Sequence, residues 1–213
     1  VCTNSTQQEY LLVKNFNIVF EAIIDELIGD REIPKGLKEQ EDGKRVDHMY
    51  TYKGLTTYEE DKPIYYIGDS KYYKRGNQVG KESVYKQFTY ARNVIQWNLN
   101  LFMNEDAADS EWKGKVPMLR DAVTEGYNII PNFFISARLN KGLSYKEDIE
   151  IADKKQTYFS NKQFENRLFD RDTLLICHYD VNFLYVVSLY ARNNAIQKEN
   201  WKAKVREMFR TES

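Results

Sequence analysis

From Asn15 to Ile28 the apolar residues Phe16, Val19, Phe20, Ile23, Ile24 and Leu27 recur at helical spacing as one stripe, and Gly29 stands where a helix C-cap belongs. The spacing predicts an amphipathic helix. Asp30 to Lys44 is charged and aperiodic and holds Pro34, Gly36 and Gly43, so it reads as a connection. Val46 to Tyr52, and then the run Ile64-Tyr65-Tyr66-Ile67-Gly68-Asp69-Ser70-Lys71-Tyr72-Tyr73, are rich in β-branched and aromatic residues. They predict two strands that pair as neighbours across the polar turn region 54–63. A basic, glycine-containing loop over 73–82 leads into a long helix from about Ser83 to Phe102.

Asn104 to Lys115 is loop-like, and Pro117 to Glu125 predicts a short helix closed by Gly126. Tyr127 to Ala137 predicts a strand that Pro131 pushes towards an edge or a bulge. Arg138 to Asp172 is charged, with little apolar pattern. Thr173 to His178 predicts a short buried strand, Val181 to Arg192 an apolar helix and Trp201 to Phe209 a terminal amphipathic helix. This order predicts an α/β or α+β fold in which a small mixed sheet is flanked by helices.

Composition narrows the class. A chain of 213 residues with 42% hydrophobic and 30% charged positions is expected to form a single domain over 1–213 with one core and a soluble surface. No apolar run is long enough to cross a bilayer and Val1 to Tyr10 lacks a signal-peptide pattern, which predicts a cytoplasmic protein without membrane contact. Cys2 and Cys177 lie too far apart in sequence to suggest a zinc site or a disulfide framework. Val1 stands where an initiator methionine would, so the chain is expected to be either processed or the C-terminal part of a longer polypeptide. The net charge of −1 lacks the basic excess of a protein that captures nucleic acid by its own field.

Asp69 and Lys71 are two apart in a predicted strand, so a period of two projects both from one face. The pattern alone is weak, because an acidic residue two before a lysine occurs five times in the chain. The other four lie in polar, turn-like surroundings, whereas this pair ends the apolar run IYYIG. A surface ion pair is the plainer reading of the two residues taken alone. Asp47, on the preceding strand, changes that balance: two carboxylates brought together are unfavourable until a cation neutralises them, and magnesium suits one or two carboxylates completed by water. Lys71 would then orient an attacking water or neutralise developing charge. Glu21, beside the stripe of the first helix, is placed to reach the metal waters, or is an ordinary surface glutamate. Gln87, Tyr90, Ala91 and Val94 share one face of the second helix and would present a glutamine and a tyrosine together. His48 should point to the opposite face from Asp47, and His178 is expected to be packed or capping.

The succession NIVFEAIIDEL, RVDHMYTYKG, YYIGDSKYYK and VYKQFTYAR resembles the ordered motifs of PD-(D/E)XK nucleases, in particular the McrC and LlaJI-type restriction endonucleases. The likeness covers roughly Asn15 to Asn93, and DTLLICHYDVNFLYVVSLYAR is also similar to the strand and helix expected near the end of LlaJI-type nuclease domains. Val46 stands where the family name leads one to expect proline, and Gln87 and Tyr90 are three apart where related exonucleases often have four. The resemblance implies a restriction-endonuclease-like core in which Glu21, Asp47 and Asp69 gather Mg2+, Lys71 assists the attacking water and Gln87 supports the site. It further implies cleavage of double-stranded DNA under the control of a GTPase subunit, which must be a separate chain because no phosphate-binding loop motif occurs here.

Lys74, Arg75, Asn77, Lys81 and Tyr90 are the candidate DNA contacts, against the alternative of a solvated loop and a core tyrosine. A homodimer would be a natural means of cutting both strands, although no residue marks its interface. The alternatives are an exonuclease, nickase or junction resolvase on the same fold, or a non-catalytic protein-interaction domain with a vestigial acidic cluster.

Overall fold

The structure is a computed structural model that describes residues 15–40, 43–55, 63–72, 80–103, 130–139, 142–151, 158–159 and 174–212. At 81, 98–103, 151, 158–159 and 174–176 the description is confined to the backbone. The first helix, α1 (Phe16–Ile28), buries Phe20, Ile23, Ile24, Leu27 and Ile28. Val19 departs from the predicted stripe: it is 42% exposed. Gly29 ends the helix with extended backbone (φ −70°, ψ 160°) in place of a left-handed cap. Glycine is required there by close approach, since a Cβ would stand 2.6 Å from Asp25 Oδ1.

The strands are β1 (His48–Tyr52), β2 (Ile64–Lys71), β3 (Asn132–Arg138), β4 (Ile149–Ile151), β5 (Tyr158–Phe159) and β6 (Leu174–Asn182). Five of them run in the order β1-β2-β3-β6-β4, and the short β5 pairs with β6. The β1–β2 pair is antiparallel, as expected of neighbours joined by a short connection, while β2, β3 and β6 are mutually parallel. Parallel neighbours need a crossover, and α2 (Lys81–Met103) lies on the path from β2 to β3. The result is a mixed sheet flanked by helices.

β2 is buried along nearly its whole length because it has a core on each side, which is why it reads as an almost unbroken apolar run. On one face Phe20, Ile24 and Leu27 of α1, with residues of α3 (Phe183–Ala191) and α4 (Ala195–Glu212), pack on Tyr50, Tyr66, Phe133 and Tyr179. On the other, Val84, Tyr90, Ala91 and Val94 of α2 pack on Met49, Tyr65, Ile67 and Phe134. Of the connection between α1 and β1, Leu37 and Val46 join the α2-side core. Gln40 of the same connection accepts a hydrogen bond from Asn93 of α2 at 2.6 Å.

Three expected elements differ. Pro131 does not send its strand to an edge: β3 is central, and Pro131 precedes it, its carbonyl accepting from Ile67 N at 3.0 Å. A proline before the first strand residue withholds no ladder donor. β6 runs on to Asn182, so Val181 is strand and not helix. The last helix begins at Ala195, well before the predicted Trp201. The predicted loop at Asn104–Lys115 and helix at Pro117–Glu125 lie outside the described residues.

Candidate metal centre

Alternation along β2 sends Tyr65, Ile67, Asp69 and Lys71 to the α2 face, and Tyr66, Gly68 and Ser70 to the α1 face. Asp69 is 5% exposed, and Lys71 Nζ lies 2.5 Å from its Oδ2. Asp47 is a bend residue immediately before β1. His48 pairs with Gly68, so one further step of the antiparallel register sets Asp47 opposite Asp69. The two carboxyl groups are close enough to share a hydrogen bond.

Burial, and then the Asp47 carboxyl acting through hydrogen bonding and charge, hold Asp69 well above the ordinary carboxylate range, against the opposing pull of Lys71. Two ionised carboxylates are acceptors only, so a bond between them needs a proton on one. With both groups ionised no donor meets Asp69 Oδ1, which is buried without a hydrogen-bond partner. A pair of this kind stores unfavourable charge that either a proton or a cation relieves.

Glu21 approaches from α1. The N-terminal half of that helix lies beside the end of β2, with Phe16 and Phe20 at 5.1 Å and 6.1 Å, centroid to centroid, from Tyr72. Burial and the Asp47 charge raise the Glu21 carboxyl, while Lys71 and Arg45 oppose them. Glu21 therefore shares one electrostatic neighbourhood with Asp47 and Lys71, but it acts on Asp47 through charge and not through a hydrogen bond. Among the described residues no trio of His, Cys, Asp or Glu is gathered closely enough to enclose a cation. Two carboxylates converge and the third stands off.

Gln87 is completely buried on α2, and neither its Oε1 nor its Nε2 has a hydrogen-bond partner. Unpaired buried amides are costly, and this one belongs to the helix that covers the Asp69 face. Tyr90 is 9% exposed and packs in the α2-side core. Lys81 opens α2, and its side chain lies outside the description, as do Lys74, Arg75 and Asn77 altogether. His48 faces away from Asp47, as alternation requires, and His178 packs tilted against Phe134 with ring centroids 5.1 Å apart.

A hard divalent cation fits the donors present. They are carboxylate oxygens, one of them buried and unpartnered, and magnesium is commonly held by one or two carboxylates with water in the remaining positions. Sequence reasoning missed Arg45, exposed and within electrostatic reach of Glu21, because its loop carries no periodic signal. It also missed the polar contacts behind the sheet at Ser70 and Asp25. Asp25 is one helical turn from Glu21, a spacing that signals a shared helix side but no partner. No family model, curated protein or solved structure matches this chain.

Proposed function

We propose that this chain is a magnesium-dependent endonuclease domain of the PD-(D/E)XK type, hydrolysing phosphodiester bonds of double-stranded DNA in a restriction-type system. The observation that carries the reading is the meeting of the Asp47 and Asp69 carboxyl groups beside Lys71, with Asp69 buried. A surface ion pair has no use for a second carboxylate pressed against the first. The order of α1, the β1–β2 pair and α2 also suits a restriction-endonuclease-like core.

Asp47 and Asp69 would hold the cation, with Glu21 oriented towards its water shell. Bound Mg2+ supplies Lewis-acid stabilisation of the phosphate and a more acidic attacking water. Lys71 orients that water and offsets the charge growing on the phosphate oxygens. Gln87 contributes an amide donor and acceptor to the same face. Lys74, Arg75, Asn77 and Lys81 follow the catalytic strand in sequence and would contact neighbouring phosphates. With a net charge of −1, the chain depends on another region or subunit to deliver it to DNA. A GTP-hydrolysing partner in the cytoplasm, and a homodimer for cutting both strands, belong to the same proposal.

The test is cleavage of linear and circular duplex DNA with Mg2+, with the partner GTPase and GTP supplied. Asp69→Ala should abolish cutting, and Lys71→Ala should lower it by about 10²–10³-fold, both variants remaining folded. Equal cutting by wild type and variants would defeat the proposal. Attack confined to ends or to one strand would reassign the chain to exonucleases or nickases. Intact partner binding without any cutting would mark an interaction domain.

A further inference from the structure

Behind the proposed metal centre, on the α1 face of the sheet, runs a chain of polar groups, buried at His48 and Ser70 and half-buried at Asp25 and Lys38. His48 Nε2 lies 2.5 Å from Ser70 Oγ, and His48 Nδ1 lies 3.5 Å from Asp25 Oδ1. Asp25 Oδ2 accepts from Lys38 Nζ at 2.5 Å, and the Lys38 carbonyl accepts from Val46 N at 3.0 Å. His48 is 0% and Ser70 1% exposed, so both groups are withdrawn from solvent and from any substrate. Burial alone would raise the Asp25 carboxyl, yet the approach of His48 and the hydrogen bond from Lys38 outweigh it and hold the group below its ordinary value.

Such a chain is an expensive way to stabilise a core, since apolar residues of the same size serve as well or better. What it adds is direction, and its members sit where direction matters. Asp25 is one turn after Glu21 on α1, His48 follows Asp47, and Ser70 stands between Asp69 and Lys71. Neighbours in a strand point to opposite faces, so fixing His48 and Ser70 behind the sheet orients Asp47, Asp69 and Lys71 in front of it without touching them. Two glycines make room. A Cβ at Gly29 would meet Asp25 Oδ1 at 2.6 Å, and one at Gly68 would meet the Phe133 ring, whose plane lies within 11° of the His48 imidazole.

We propose that Asp25, His48 and Ser70 are positioning residues, a polar chain that ties α1, β1 and β2 together so that Glu21, Asp47 and the Asp69–Lys71 pair are presented to one cation. The proposal rests on the metal-centre reading above. Outer partners of metal ligands, when removed, typically lower affinity about 10–100-fold, and these residues act one step further back.

The experiment measures Mn2+ binding to the whole chain by calorimetry, alongside thermal unfolding. The variants are Ser70→Ala, Asp25→Ala, Asp25→Asn and, as a control for general loosening, Val205→Ala in the core at α4. Ser70→Ala and Asp25→Ala are expected to weaken Mn2+ binding about 10-fold. Asp25→Asn, which keeps an acceptor oxygen, should recover part of the loss, and Val205→Ala should lose stability but not affinity. Wild-type affinity in folded Ser70→Ala and Asp25→Ala, or an equal loss in Val205→Ala, would overturn the positioning role alone. Failure of Ser70→Ala and Asp25→Ala to fold, with Val205→Ala folded, would make the chain a folding requirement and overturn it too. Absence of Mn2+ binding in wild type would instead remove the metal centre, and the positioning role with it.

Discussion

Asp69 carries a pH signature that no cleavage assay is needed to see. Its folded pKa is raised, by burial first and by Asp47 second, so between the ordinary carboxylate pKa and the folded value the native state holds a proton that the unfolded chain has lost. That stabilising difference is fully present below the ordinary value and disappears as pH rises through the folded one. Cation-free wild type should therefore lose stability from mildly acidic towards alkaline pH. Asp69→Asn, neutral throughout, should lose less over the same range and should gain nothing from Mg2+, as thermal melts with and without the ion will show. An identical pH dependence in both proteins would mean that Asp69 is not the strained group. The Asp69–Lys71 pair was legible in the sequence because a period of two is a rigid rule and because the apolar run before it made a charge conspicuous. The Asp47 contact was legible only as a consequence of strand pairing. Nothing in the sequence announced Ser70 or Asp25, since a serine in a strand and an aspartate on a helix carry no pattern until a partner is known.

At the scale of elements, the long periodic pieces were readable and the junctions were not. α1 and α2 follow from their apolar spacing almost to the residue. The β6–α3 junction was misread because LLICHYDVNFLYVV is apolar on both sides of the change and contains no glycine or proline. The signal that does mark it is Asn182, whose side chain accepts from Leu184 N at 3.2 Å as an N-cap and donates to the carbonyls of Ser144 and Lys146 at 2.7 Å each. Asn182 thus closes a strand, opens a helix and anchors the stretch before β4. Asn182→Ala removes the cap and leaves two carbonyls unpaired, and should cost about 2 kcal/mol or more in denaturant unfolding. A loss within about 0.5 kcal/mol, ordinary for a surface change, would show that water replaces all three bonds. The central place of β3 was hidden for a different reason: a proline in a strand-like run says where ladder donors are missing, not where the sheet ends.

For the molecule as a whole, the mixed sheet with helices on both faces follows from the alternation of patterns, whereas strand order depends on contacts between segments far apart in sequence. The sheet divides the labour. One face, against α1, α3 and α4, holds the larger core and the Asp25–His48–Ser70 chain; the other, against α2, holds Asp69, Lys71 and Gln87. α4 is locked to this scaffold by Arg206, which donates to the Ile28 carbonyl at 2.6 Å and to Asp30 at 2.7 Å while lying 4.3 Å from the centre of the Tyr50 ring. At Gly68 the Phe133 ring fills the volume a side chain would take, with ring carbons at 2.0–2.5 Å from an added Cβ. A single methyl group at position 68 must therefore evict an aromatic ring, at a cost of about 1–3 kcal/mol, and the ring it displaces is the one lying alongside His48. Gly68→Ala should weaken Mn2+ binding in calorimetry although it alters no charge and adds nothing to the carboxylate face. Position 68 is in that sense a silent control point, through which an uncharged change behind the sheet is expected to reach the carboxylate pair in front of it.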